Sequence, residues 1–240
     1  MNIVDAIWEK RNLGCQCKEI LFDNKDSLES VESQLNVIDS VPYLVLRVPV
    51  NRPDIVSFVQ KIGFRYIECI FHFSYRLSQI VQGEKRFDFD SLCDWREMNQ
   101  NDLERLQSEI RAGMFGTDRV ALDPVFSAEI SATRYINWIN DLCEKGIMPN
   151  VVLFDNKEIG FFINEPKSKD VIDGILIGIY NDFKGLGYYL HIASLVDSYN
   201  KGYKKLTGRV SSNNPEQLRL MFETGQKIRR IDQVFIKHCV

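Results

Sequence analysis

The sequence predicts a mixed α/β fold of the α+β kind, built from two copies of one unit: a reduced copy over residues 1–90 and a complete one over 91–240. Three observations carry this reading. Strand-length apolar runs alternate with helical stripes through the second half. A stretch of the first half recurs in the second without a gap. One apolar run passes into a helical stripe through a Gly-x-Gly turn.

The recurrence is found by shifting the chain by 162 residues. RVPVNRPDIVSFVQKIGFRYIECIFHFSY (47–75) then lies on RVSSNNPEQLRLMFETGQKIRRIDQVFIK (209–237), and Arg47/Arg209, Val48/Val210, Asn51/Asn213, Pro53/Pro215, Gly63/Gly225 and Phe73/Phe235 coincide. Both stretches read strand, Asn-x-Pro, helix, glycine, strand. Proline suits the first turn of a helix, where its missing N–H costs nothing, and glycine suits the end. The segment before the first copy's strand, DSLESVESQLNVIDSV, contains no glycine, so only the second copy has the glycine turn.

The second copy opens with a strand over 86–98 (RFDFDSLCDWREM). Two amphipathic helices follow, DLERLQSEIR and FSAEISATRYINWINDLCEKG. The latter carries Tyr135, Trp138, Ile139 and Leu142 on one face and Gly146 beyond its end. Residues 151–155 and 159–163 form a hairpin about Asn156-Lys157, and VIDGILIGIY (171–180) is a buried central strand. After the glycine turn, residues 187–200 repeat apolar positions at helical spacing and stop at Lys201-Gly202. A strand (KKLTGRVSS), a helix from Pro215 to Gly225 and a last strand (IRRIDQVFIKH) complete the chain. Asn213 and Asn214 are candidate caps for that last helix.

Composition narrows the function. With 45% hydrophobic and 26% charged residues the chain is globular, and no apolar run approaches the ~20 residues a membrane span needs. The start, MNIVDAIWEK, has no basic region, apolar core or cleavage site of a secretory signal, which places the protein in the cytoplasm. The six cysteines are scattered apart from Cys15-x-Cys17, which strand periodicity puts on one face; His72, His191 and His238 are isolated, so no metal site is expected. A net charge of −3 argues against nucleic acid, while residues 171–240 hold ten Lys/Arg against six Asp/Glu. That local excess suits a small polyanion, and equally a set of solvated faces.

A strand that ends in Gly185-x-Gly187 and enters a helix aims backbone N–H groups and the positive helix end at one spot, an anion site. A tight turn required only for packing would leave the same trace. The order of elements from 159 to 226 resembles the GNAT (GCN5-related N-acetyltransferase) superfamily: a central strand, a loop here reading Asp182-Phe183-Lys184-Gly185-Leu186-Gly187, a helix, a strand, then Asn214 through Met221 to Gly225-Gln226. A reduced copy before a complete one, with DPVFSAEISATRYINWI, resembles the two-domain branch that contains bacterial TDP-fucosamine acetyltransferase.

The resemblance implies a tandem GNAT-like fold and transfer of an acetyl or other small acyl group from acetyl-CoA to a primary amine, with no metal. The amine it implies belongs to an amino sugar on a nucleotide diphosphate. Amides of Phe183, Lys184, Gly185, Leu186, Gly187 and Tyr188 would hold the pyrophosphate, and Asn214 matches a cofactor-contacting asparagine. The main chain at Ile177, Gly178 and Ile179 would pair with pantetheine along a strand splayed from its neighbour. Asp173 is the candidate base and Tyr188 a candidate proton donor, because Met221 stands where the family often has a tyrosine. Asp182 replaces the usual Gln/Arg and should turn from the phosphates or weaken their binding. Arg119, Asp123, Arg134 and Tyr135 fall in the acceptor-side segment, where the two arginines could grip a diphosphate. A tandem-GNAT aminoacyl transferase and a non-catalytic CoA-sensing module remain alternatives. A monomer and a homodimer both stay open.

Overall fold

A computed structural model describes residues 1–38, 40–80 and 93–239. Its strands are β1 (Asn2–Asp5), β2 (Cys17–Leu21), β3 (Tyr43–Pro49), β4 (Arg65–Arg76), β5 (Cys93–Glu97), β6 (Asn150–Phe154), β7 (Lys157–Pro166), β8 (Val171–Ile179), β9 (Lys205–Ser211) and β10 (Lys227–His238). Its helices are α1 (Ile7–Leu13), α2 (Leu28–Ile38), α3 (Pro53–Lys61), α4 (Gln100–Arg111), α5 (Ala128–Glu144), α6 (Gly187–Asn200) and α7 (Pro215–Glu223). Of the strand expected over 86–98, residues 86–92 lie outside the described residues.

All ten strands form one sheet in the order β1-β2-β3-β10-β4-β9-β8-β7-β6-β5. The two copies therefore exchange strands: β10 of the second lies between β3 and β4 of the first, and β4 lies between β10 and β9. The register obeys the 162-residue shift. Phe73 faces Ile228, and the shifted pair, Phe235 with Tyr66, is also present; Ile70 facing Asp232 maps onto itself. The residues skipped at the two irregularities, Ile67 and Arg229, are equivalent as well. Likewise Pro49 opposite Asp232 in β3–β10 becomes Ser211 opposite Ile70 in β4–β9. A pseudo-twofold axis thus crosses the sheet at Ile70 and Asp232.

Helices cover both faces. Leu106, Ile110, Tyr135, Ile136 and Ile139 of α4 and α5 pack on Val151, Phe161 and Ile163. Leu190 and Ala193 of α6 pack on the other face, against Val152, Ile159 and Phe162. In the first copy, α2 and α3 bury Val31, Leu35, Ile55 and Val59 on Leu44, Leu46 and Phe235, the last supplied by β10. The hairpin turn falls one residue earlier than expected. Asp155 and Asn156 take φ of 50° and 58°, and Phe154 pairs with Lys157. A two-residue turn of this hand needs positive φ at both positions, which Asp and Asn tolerate and Lys does not. Cys15 precedes β2, so the expected shared strand face with Cys17 does not form.

Candidate functional site

The site begins where two neighbouring strands part. β8 and β9 run parallel from Val171/Lys205 to Gly174/Gly208, and pairing stops there. β8 continues alone to Ile179, held on its far side by β7. Its backbone edge over Ile175–Ile179 therefore faces a gap instead of a strand. Into this gap opens a cavity of about 220 Å³ lined by Gly174–Ile177 of β8, Leu206–Ser211 of β9, His191, Ser194 and Leu195 of α6 and residues of α5 and α7.

At the end of β8 a short turn over Asn181–Phe183 leads into α6. Phe183 is half-buried against the apolar clusters of both sheet faces and anchors the turn. Gly185 is exposed with φ 105°, and the space where a side chain would stand is open. Such a backbone strongly favours glycine. Gly187 answers a different need, since a Cβ there would meet Leu220 Cδ1 of α7 at 2.9 Å. The cap position of α6, Leu186, offers no side-chain acceptor. The amides of Lys184, Gly185 and Gly187 have no acceptor among the described residues. The turn thus combines open space beside the main chain, unspent donors and a positive helix end, the properties a phosphate needs. Asp182 is exposed on the turn.

Of the remaining expected residues, Ile177 and Asn214 line the cavity, and Gly178 and Ile179 continue the unpaired edge of β8. At Gly178 an added Cβ would strike Met114 Sδ at 2.5 Å and Phe161 Cε1 at 2.7 Å, so that face is closed by packing. Asn214 is the cap of α7, its side chain accepting from the Gln217 amide at 3.1 Å. Tyr188 lies in the first turn of α6, packed beside the cluster around Ile192 and Leu195, and is not among the cavity-lining residues. Met221 does line the cavity and is buried.

Asp173 faces the paired part of β9, not the gap. Thr207 Oγ1 donates to its Oδ1 at 2.5 Å and Arg209 lies 3.4 Å from its Oδ2, so the expected base is occupied beside the cleft. The acceptor-side arginines are occupied too. Arg119 reaches Glu9 at 2.6 Å and Glu19 at 2.7 Å; Arg134 reaches Glu9 at 2.8 Å and Asp118 at 2.9 Å. Burial works against the Glu9 carboxylate, but the two guanidinium groups outweigh it and hold its carboxyl below the usual glutamate range. Both arginines and Tyr135 line the cavity, yet carboxylates already offset the arginines' charge: Arg134 is bonded through all three nitrogens and Arg119 through Nη2. Asp123 lies elsewhere. It is fully buried, bonded to His238 Nε2 at 2.7 Å with Arg65 3.6 Å away, and ties its loop to the last strand.

Glu68, Arg47 and His191 are among the lining residues that the sequence did not mark as site residues. The first two belong to the reduced copy and reach the cleft only because β4 and β10 exchange places. The repeat did hold a signal, because Glu68 aligns with Arg230, a reversal of charge between the copies. Glu68 is 3% exposed, and its Oε2 has no hydrogen-bond partner among the described residues. Burial pushes its carboxyl above the ordinary glutamate range, with Asp118 adding to the rise and Ser211, Arg119 and Arg47 opposing it. His191 is buried without a compensating charge, and its imidazole is lowered to about 4.

No protein-family model matches the sequence, and no curated protein matches it. Solved structures do match. A conserved protein of unknown function from Staphylococcus epidermidis superposes with a TM-score of 0.61 at 10% identity, over 94% of this chain and 85% of that one. A tandem GNAT protein from the clavulanic acid biosynthesis pathway gives 0.58 at 9% identity, over 95% and 76%. A GCN5-related N-acetyltransferase from Sphaerobacter thermophilus gives 0.57 at 11% identity over 88% of this chain, which spans 65% of the length of that protein. The fold is that of tandem GNAT proteins.

Proposed function

We propose that the protein transfers a small acyl group from an acyl-CoA thioester to an amine held in the cleft. The observation that carries this is the parting of β8 from β9 beyond Gly174/Gly208, with the donor-rich glycine turn at the end of the unpaired edge. An extended pantetheine arm can add to a free strand edge by main-chain hydrogen bonds, while phosphates meet the turn. Acetyl-CoA is the donor this reading names. Lys184, Gly185 and Gly187 would hold its phosphates, and an amide of the β8 edge would stabilise the oxyanion of the acyl carbonyl, a contribution of roughly 3 kcal/mol.

The acceptor the cleft suits is a small amine. A nucleotide-diphosphate amino sugar, the acceptor implied by the family resemblance, would need cations to meet its phosphates, and Arg119 and Arg134 are already held by carboxylates. Met221 at the cleft wall leaves the thiolate without a neighbouring phenol from α7; a thiolate leaves without a strong acid because its conjugate thiol is itself acidic.

The test is calorimetric titration with acetyl-CoA of the wild type and Gly185→Glu. The substitution puts a carboxylate at the proposed phosphate position and a side chain on a backbone with φ 105°, in an exposed loop with open space around it. We expect at least about tenfold weaker binding, the equivalent of about 1.4 kcal/mol, with an unchanged circular dichroism spectrum. Equal affinity in the two proteins would remove the turn from the site.

A further inference from the structure

We propose that Glu68, carried into the cleft by the exchanged strand β4, binds the acceptor's ammonium group and takes up the proton that frees its nitrogen for attack. This rests on the acyl-transfer reading above.

The charges around the cleft form two sets. Arg47, Arg119 and Arg134 are matched by Glu19, Glu9 and Asp118, each within 3.4 Å of a guanidinium. Glu68 stands outside this matched set. Arg47 from β3, Asp118 and Arg119 from the α4–α5 connection, Tyr135 from α5 and Ser211 from β9 act on it, and Arg134, Arg209 and His191 line the same cavity. Across the strand pair, β10 presents the apolar Val234. The Ser211 hydroxyl already donates to the Thr117 carbonyl at 3.1 Å. Glu68 thus lines the cavity with a buried acceptor, Oε2, that has no partner among the described residues. A buried carboxylate oxygen left so costs free energy that a cationic ligand would recover.

A second orphan shares the wall. Arg119 Nε is buried and has no partner among the described residues, although Nη2 of the same guanidinium is taken. An acceptor-free N–H and a donor-free oxygen on residues of one cavity complement a molecule that carries both a protonated amine and an oxygen acceptor. Amino acids, short peptides and free amino sugars have this chemistry.

In the reaction, the ammonium arrives with three protons. One passes to Glu68 Oε2, and the nitrogen lone pair forms the C–N bond at the thioester carbonyl. The C–S bond then breaks. A second proton leaves the nitrogen and ends on the thiol of free CoA, the third stays on the amide, and Glu68 returns its proton to water. Burial helps, because a carboxylate raised toward neutrality is a stronger base than one in water.

The experiment uses the full chain, acetyl-CoA and a panel of glycine, glycyl-glycine and glucosamine, with thiol release measured from pH 6 to 9.5 for wild type, Glu68→Gln and Glu68→Asp. We expect Glu68→Gln to bind acetyl-CoA as the wild type does while losing about 100-fold or more in kcat at neutral pH. We expect the loss to shrink as the free amine becomes abundant at high pH, and Glu68→Asp to retain part of the rate. A Glu68→Gln rate within roughly threefold of wild type over that range, the scatter expected of a merely supporting side chain, would overturn the role. Wild type that binds acetyl-CoA but acylates none of the three would overturn this acceptor class and the role with it. Absence of acetyl-CoA binding would instead sink the acyl-transfer reading itself.

Discussion

His191 shows at the level of one residue how the cleft sets the chemistry of its wall. It lies on α6 with no charged partner, and burial alone lowers its imidazole from 6.5 to about 4. Above pH 6.5 the ring is neutral in folded and unfolded chains alike and has no pH-dependent effect. Below it the unfolded chain takes up a proton and the folded one does not, so stability falls with pH until about 4. A shift of that size corresponds to about 3 kcal/mol at most. We expect His191→Gln to remove most of this slope: between pH 7 and pH 5, wild type should lose about 2 kcal/mol more than the variant in urea unfolding. Identical pH dependence would place the ring in contact with water. No such argument was available from the sequence, where His191 is one more residue in a helical stripe. Gly185 was legible there because a positive-φ turn demands a residue type, whereas His191 and Glu68 become chemical only through what buries them.

Helix α1 illustrates the next scale, an element fixed by charge more than by packing. It is seven residues long, too short to hold itself, and its outer residues Ile7 and Trp8 are exposed. What secures it is Glu9, fully buried between Arg119 and Arg134, with Arg11 bonded to Asp141 of α5 at 2.7 Å and 3.1 Å. Removing Glu9 takes a carboxylate from two buried arginines at once and leaves Arg119 with Glu19 and Arg134 with Asp118 alone. Glu9→Ala should therefore cost about 3 kcal/mol, the lower end of the cost of breaking a buried pair, against under about 1 kcal/mol for Arg11→Ala at the solvent-exposed pair. Thermal unfolding of the two variants checks this, and a stable Glu9→Ala would return both arginines to the list of ligand-binding groups. The contrast with α7 shows what sequence can say of an element. Asn214-Pro215 marks the start of α7 by local chemistry, cap and fixed φ, and the helix starts there. The partners of Glu9 lie more than a hundred positions away, and no spacing within α1 points to them. The same limit applies to β8, whose apolar run is plain in the sequence but whose separation from β9 depends on a neighbour's course.

In the whole molecule, the repeat and the sheet are one fact seen twice. The 162-residue offset, drawn from six coincident residues, reproduces the pairing of β3–β10, β10–β4 and β4–β9, including the position of both irregularities. What the offset could not say is that equivalent strands would cross over. Two copies side by side, each with its own strands, would show the same coincidences. Strand exchange has an energetic consequence that tests the division at residue 90. In an isolated second copy β10 would lose both neighbours, and β9 would lose β4. Val234, Phe235 and Ile236, each no more than 1% exposed, would lose the strands on either side. At about 1.5–3 kcal/mol for each such side chain, the three together are worth about 5–9 kcal/mol, as much as the net stability of an ordinary domain. We therefore expect residues 93–240 produced alone to show no sharp thermal transition as a monomer, and to associate through the open strand edges. Co-expression with residues 1–92 should restore a one-to-one complex that melts cooperatively and regains acyl transfer, because Glu68 returns to the cleft with β4. A monomeric 93–240 fragment that unfolds in a single sharp step would mean that β10 can find a second place in the sheet and that the complete copy needs nothing from the reduced one.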